Sequence, residues 1–249
     1  MIFRQLYEPL SSTYTYLLGD EVTGQAILID PVIATMDRDL AEVQRLGLKL
    51  SYTVDTHIHA DHITAALEMK RAVGSSIAMP AYDQLPCADV YLEEGNAFQV
   101  GRITLRPLHT PGHTDGHLAY LMNDRVFTGD ALLIEGCGRT DFQNGDADAL
   151  FKSVREKLFS LPDETLVYPA HDYKERFVSS IAQEKRRNPR LGCDKTLQEF
   201  KVIMAGLNLP YPKFIDYAVP GNRACGVCPA DLPDNLSTYC RQMTQSPQG

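Results

Sequence analysis

The chain has 249 residues, 44% hydrophobic and 22% charged, the makeup of an ordinary soluble globular protein with a full-sized core, as one large domain or one domain with an extension. A formal net charge of −8 excludes a general nucleic-acid or anionic-membrane binder, since either needs a broad basic field, so an anionic substrate must meet a local basic cluster. No apolar run approaches the roughly 20 residues of a membrane span, and Met1 to Glu8 has neither a signal-peptide apolar core nor an acid-free, Arg-rich transit pattern, which makes a cytoplasmic protein the expectation. In that setting the cysteines at 87, 137, 193, 225, 228 and 240 are expected as free thiols rather than a disulfide framework.

Ile2 to Tyr7, Thr13 to Leu18 and Gln25 to Ile29 read as strands of an early sheet, the last two separated by the polar turn Asp20 to Gly24, and Asp30-Pro31 ends the run. Asp37 to Gly47 follows as an amphipathic helix with Leu40, Val43 and Leu46 on one face and Gly47 as its stop. Leu50 to Asp55 is the next strand. It runs into Thr56-His57-Ile58-His59-Ala60-Asp61-His62, ahead of a helical pattern from Ile63 to Val73. Ser76 to Met79 is a short strand, a loop punctuated by Pro80 and Pro86 comes next, and two strands within 97 to 108 turn around Gly101.

These strands deliver the chain to Leu108-His109-Thr110-Pro111-Gly112-His113-Thr114. Leu118 to Met122 and Arg125 to Thr128 read as a hairpin over Asn123-Asp124, ending at Gly129-Asp130. A helix from Asp146 to Phe159 and a strand from Thr165 to Tyr168 lead into Pro169-Ala170-His171-Asp172-Tyr173. Beyond Ser179 the pattern is helical over Glu184 to Asn188 and Lys195 to Leu207, and from Pro210 it becomes a tail of proline and turn residues. Strands and helices mixed without strict alternation predict an α+β fold, sheet packed on sheet with helices outside. Residues 1–178 are read as the core with a metal site, and 179–249 as a C-terminal extension packed on the same domain.

The chemistry gathers at the strand ends. Three histidines and an aspartate between positions 57 and 62 are a poor way to build core or surface and a good way to hold a borderline divalent metal, which accepts imidazole and carboxylate. At a strand end His57 and His59 share a side because the period is two, and Asp61 and His62 turn back toward the same point. His109 and His117 are expected to be structural, and Cys137 a buried structural cysteine. Cys225-Gly226-Val227-Cys228 has redox spacing but lies in the irregular tail.

Collected together, His57, His59, Asp61, His62, His113, Asp130 and His171 resemble the metal set of the metallo-β-lactamase superfamily over about residues 10 to 175. Within it the chain is similar to the persulfide dioxygenase family in His57 to Thr64, Thr110 to Thr114, Thr128 to Phe142, Tyr168 to Tyr173, Asn188 to Leu191 and Asp216 to Val227. The resemblance implies an αββα sandwich with metal at one edge between the sheets. It implies one Fe(II) per chain on His57, His113 and Asp130, a face that leaves about three open positions for a sulfur ligand and O₂. His59, Asp61, His62, His171 and Asp172 would then orient the ligands and bond to water. The implied reaction is oxidation of glutathione persulfide by O₂ and water to sulfite and glutathione.

The alternative is a glyoxalase II-type thioester hydrolase, in which all seven residues hold two metals around an attacking hydroxide. Gly138-Arg139-Thr140-Asp141-Phe142 resembles the dioxygenase form, where glyoxalase II carries an Arg-Phe-Phe-Glu type of run. Arg139 is the candidate for the glutathione carboxylates, its other reading being a structural salt bridge to Asp141; Tyr173, Lys174 and Arg176 are expected on the pocket rim with Asp141. The family implies a homodimer. No rhodanese-like domain is read in the chain, so a separate sulfurtransferase is expected to supply persulfide.

Overall fold

The computed structural model describes residues 1–230 and Leu232. Strands β1 (Ile2–Glu8), β2 (Thr13–Asp20), β3 (Gln25–Ile29), β4 (Lys49–Val54), β5 (Ser76–Pro80) and β6 (Val90–Leu92) form one sheet in that order. It is antiparallel as far as β3 and parallel beyond. Strands β7 (Phe98–Val100), β8 (Ile103–His109), β9 (Leu118–Leu121), β10 (Arg125–Gly129), β11 (Leu166–Pro169) and β12 (Ser179–Ser180) form the second, again in chain order. Only β10 and β11 run parallel there.

Period-two alternation with both faces apolar explains why the sheets stack and are covered outside. Tyr14, Tyr16 and Leu18 of β2 and Ile27 and Ile29 of β3 point between the sheets, onto Leu105, Leu118, Tyr120 and Phe127. Leu17, Ala26 and Leu28 point the other way, onto Met36 and Val43 of helix α1 (Met36–Arg45) and Met69 of helix α2 (Ala66–Val73). Each such fully buried Leu or Ile is worth roughly 1.5–3 kcal/mol.

The far side of the second sheet takes Leu150 of helix α3 (Ala147–Lys152), Val154 and Leu158 of the π-helical turn that continues it, Ile181 of helix α4 (Ile181–Arg187), and Phe200 and Met204 of helix α5 (Leu197–Ala205). The result is the expected sandwich of helix, sheet, sheet and helix. The loops leaving β3, β4, β8, β10 and β11 carry Asp30, His57 to His62, Thr110 to His117, Asp130 and His171 to a common edge.

Several local expectations need correction. The helix read from Ile63 starts at Ala66, because the backbone before it pairs elsewhere: Ile33 N–H donates to Ile63 O, Ala65 N–H to Pro31 O, and Thr64 N–H to the Asn222 side chain. His57 and His59 lie beyond the end of β4 in a loop, since Asp30 captures Thr56 N–H at 2.7 Å and breaks the strand. The tail from Pro210 contains helix α6 (Ile215–Arg223), which accommodates Pro220 while burying Ile215, Ala218, Gly221 and Asn222. The short strands β6 and β12 are additional.

The free-thiol expectation fails for three cysteines. Cys87 and Cys225 form a disulfide with Cα atoms 6.0 Å apart, and Cys228 is also disulfide-bonded. The redox spacing of Cys225 and Cys228 therefore does not pair those two with each other; α6 instead delivers Cys225 to the loop after β5, a contact across 138 residues that local spacing cannot reveal. Cys137 and Cys193 are free, and Cys240 lies outside the described residues.

Candidate metal centre

Asp30, at the end of β3 in the left-handed region with φ of 50°, anchors the centre from behind. Its carboxylate accepts from Thr56 N–H at 2.7 Å and from the Thr56 hydroxyl at 3.0 Å. The hydroxyl proton is thus spent, so Thr56 Oγ1 accepts from His57 Nδ1–H at 2.9 Å and leaves His57 Nε2 with a free lone pair. Burial, joined by the neighbouring histidines, holds His57 well below its ordinary pKa, which keeps the ring neutral and able to ligate.

His113 is oriented the same way. Its Nδ1–H donates to Arg139 O at 2.8 Å, and its Nε2 faces Asp130 Oδ2 at 3.4 Å. Asp130 Oδ1 is buried and makes no hydrogen bond. One ligand atom each from His57, His113 and Asp130 comes within 4.8 Å of the others, the donor set of a metal site. An orphaned buried carboxylate oxygen beside two nitrogens freed by outer hydrogen bonds is how such a site presents itself, since leaving the group unpaired is otherwise costly.

His59, Asp61 and His62 form a neighbouring set within the same limit. His59 Nε2 meets Asp30 at 3.1 Å, and its Nδ1 is buried without a partner. Burial opposes charge on this ring, but the Asp30 carboxylate and its hydrogen bond, with Asp61 and Asp55, push its pKa up to about 9. His62 Nδ1 meets Asp61 at 2.9 Å while its Nε2 is also buried and unpartnered. His171 donates from Nδ1 to Ser12 O at 3.2 Å, and its Nε2 lies 3.5 Å from Asp61 and 3.5 Å from Asp130, between the two sets.

A cleft of about 590 Å³ opens onto these groups, with Asp61, His113, Asp130 and His171 on its floor. Arg139 lines it with its guanidinium engaged: it grips both Asp141 oxygens at 2.6 and 2.7 Å and donates to Pro210 O at 2.8 Å. The salt-bridge reading of Arg139 and Asp141 is the one the geometry contains. Arg176 is likewise engaged by Asp172, Glu135 and Ile134 O. Asp172 does not reach the His171 ring; it caps the next turn by accepting from the backbone of Lys174, Arg176 and Phe177. Tyr173 stacks on His171 with centroids 6.0 Å apart.

The cleft cations with no acidic partner among the described residues are Lys174, Arg190 and Lys213. The sequence pointed to Lys174 and missed the other two, although Arg190 stood in the Asn188 to Leu191 segment. It also missed Thr56, Asp30 and Asn222. Nothing local marks Asp30 and Asn222, which act across 26 residues or more, while Thr56 stands beside the His57 it orients. His109 stacks on Tyr82 at 3.7 Å and is not turned to the centre.

The description of the family model that matches residues 9–171 is the metallo-beta-lactamase superfamily. The chain belongs to that superfamily. Persulfide dioxygenase ETHE1, mitochondrial, of Homo sapiens is 47% identical over 229 residues, spanning 91% of this chain and 89% of that protein. The crystal structure of ETHE1 from Myxococcus xanthus, 56% identical, superposes with a TM-score of 0.89 over 91% of this chain and 100% of that one. Hydroxyacylglutathione hydrolase of Methylococcus capsulatus is 36% identical over 179 residues, 69% of this chain and 68% of that protein. Within the superfamily, the chain belongs to the persulfide dioxygenase family.

Proposed function

We propose that this enzyme oxidises glutathione persulfide with O₂ and water to sulfite and glutathione, with one Fe(II) per chain held by His57, His113 and Asp130. The observation that carries the proposal is the donor set itself: two imidazole nitrogens freed by bonds to Thr56 and Arg139 O, and a buried carboxylate oxygen with no hydrogen bond, with His113 and Asp130 lining an open cleft. Held by these three residues, ferrous iron would supply the redox change that reaction of a persulfide with O₂ requires.

The chain's own residues then bind and orient. Lys174, Arg190 and Lys213 offer positive charge without an acidic partner among the described residues to the two carboxylates of glutathione, with Arg190 placed by donating to Cys137 O at 2.9 Å. Arg139, fixed by Asp141, ties Pro210 to the rim and stacks over Phe142 at 4.6 Å, which keeps the wall in place. A homodimer in the cytoplasm, supplied with persulfide by a separate sulfurtransferase, goes with this reading.

The thioester hydrolase keeps one observation in its favour, the unpartnered nitrogens of His59 and His62 beside Asp61. Asp61, however, already accepts from Thr13 at 3.0 Å and meets His62 at 2.9 Å, so its charge is partly spent. The two readings separate in one assay. Iron-loaded enzyme given glutathione persulfide should consume O₂ and release sulfite, and the zinc form should do neither, because zinc has no accessible redox change. Efficient cleavage of S-lactoylglutathione by the zinc form, with no O₂ uptake by the iron form, would reverse the assignment.

A further inference from the structure

His117, read from the sequence as structural, touches two members of the iron-binding set. Its ring is fully buried and lies 5.0 Å from His57, inclined by 25°. Its Nε2 accepts the backbone N–H of Asp130 at 3.1 Å. An imidazole that accepts at Nε2 carries its proton on Nδ1, and that proton goes to Thr110 Oγ1 at 2.8 Å. The residue before Asp130 explains how the ring gets so close: Gly129 has φ of +51°, and a Cβ there would stand 2.4 Å from His117 Nε2 and 2.9 Å from Thr56 Oγ1. Glycine at 129 and histidine at 117 are thus one device, in which the bare backbone admits the ring and the ring takes the N–H it exposes.

We infer that His117 is a positioning residue for the metal centre: its Nε2 acceptor fixes the backbone, and with it the carboxylate, of Asp130, while its face sets the plane of His57. This rests on the triad of His57, His113 and Asp130 being the iron site. The side chain itself touches neither iron nor substrate.

Two polar replacements separate the acceptor from mere bulk. In His117→Gln the side-chain oxygen falls near the place of Nε2; in His117→Asn it falls near Nδ1 and the Asp130 N–H is left without a partner. Iron-loaded protein is challenged with a ferrous chelator, and its nitric oxide adduct is recorded by electron paramagnetic resonance. Iron retention should stay within about threefold of the parent in the Gln variant and fall about ten- to a hundredfold in the Asn variant, with a changed nitrosyl spectrum only in the latter. Melting temperatures of the two iron-loaded variants give the control for folding. Parent-like retention and spectra in both variants, or equal losses in both, would overturn the inference. An O₂-uptake failure of the parent enzyme would instead count against the dioxygenase reading, since the chelator and nitrosyl measurements need no turnover.

Discussion

The two halves of the metal centre are braced largely by different parts of the chain, with Asp30 common to both through Thr56 and His59. His57, His113 and Asp130 lean on Thr56, Arg139 O and His117, all within the run from 56 to 139, with Asp30 behind them. The half built from His59, Asp61, His62 and His171 leans on the two ends of the chain. Thr13 bonds Asp61, and Ser11 links Thr13 to the buried Glu8; Ser12 O takes His171; and the Asn222 amide donates to His59 O at 2.9 Å and His62 O at 2.8 Å. Each histidine in both halves keeps one ring nitrogen without a hydrogen bond, but the first half is held by a hydroxyl, a carbonyl and an imidazole, and the second by carboxylates and by segments near residues 11–13 and 222. What the difference predicts is that a ligand of one half can be removed while much of the other stays assembled, Asp30 and His171 being the groups that join them.

The sharpest way to break this comparison is to remove one residue from each half. His113→Ala or Asp130→Ala should lose iron and drop activity to background together, measured by metal analysis and O₂ uptake on one preparation. His59→Ala should keep most of its iron, with activity reduced roughly ten- to a hundredfold because an orienting group is gone. Equal iron loss in both would show that the halves act as one ligand set.

Asn222→Ala acts on the brace rather than on a ligand. It leaves His59 O, His62 O and Thr64 N–H unpaired in a buried place, and each orphaned group costs about 1–3 kcal/mol, so a clear fall in melting temperature is expected. Iron bound to the folded fraction should change little. A variant with parent stability would mean that water replaces the amide there.

At the cleft, Arg190→Ala should raise KM for glutathione persulfide about tenfold with kcat and iron content kept, the loss of a charge-assisted contact made in ground and transition states alike. Arg139→Ala should show more of its effect in melting temperature, because its guanidinium is bonded to Asp141 and Pro210. The opposite split would return the substrate contact to Arg139.

The smallest effect is a control remote from both halves. Asp39 on α1 is buried, which pushes its pKa up to about 6 despite Arg38 alongside. The folded chain therefore holds that proton to higher pH than the unfolded chain, and stability falls as pH rises from about 4 to about 6, then levels off. Asp39→Asn should flatten that slope in pH-dependent unfolding and leave iron content untouched.

Most of the fold and the cluster from His57 to His62 could be read from the sequence, because strand alternation and that dense run are local signals, whereas His113, Asp130 and His171 joined the candidate set only through the resemblance to the superfamily. What stayed hidden was long-range. The late start of α2 depends on Asn222 and on residues 31 to 33, helix α6 forms in a proline-bearing tail because its buried face has a place to go, and Cys225 finds Cys87 rather than Cys228. The pairing of Arg139 with Asp141 was visible as a possibility from their spacing, whereas the lack of an acidic partner for Arg190 among the described residues depends on which acids surround it in space.

The central claim, that one half of the centre holds the working metal, is tested most directly by counting metal in active enzyme. Anaerobically purified protein should contain about one iron per chain and turn over glutathione persulfide at full rate, with no gain on adding a second equivalent. Two tightly bound metals per chain in the active form, or activity that appears only when the second equivalent is bound, would contradict it.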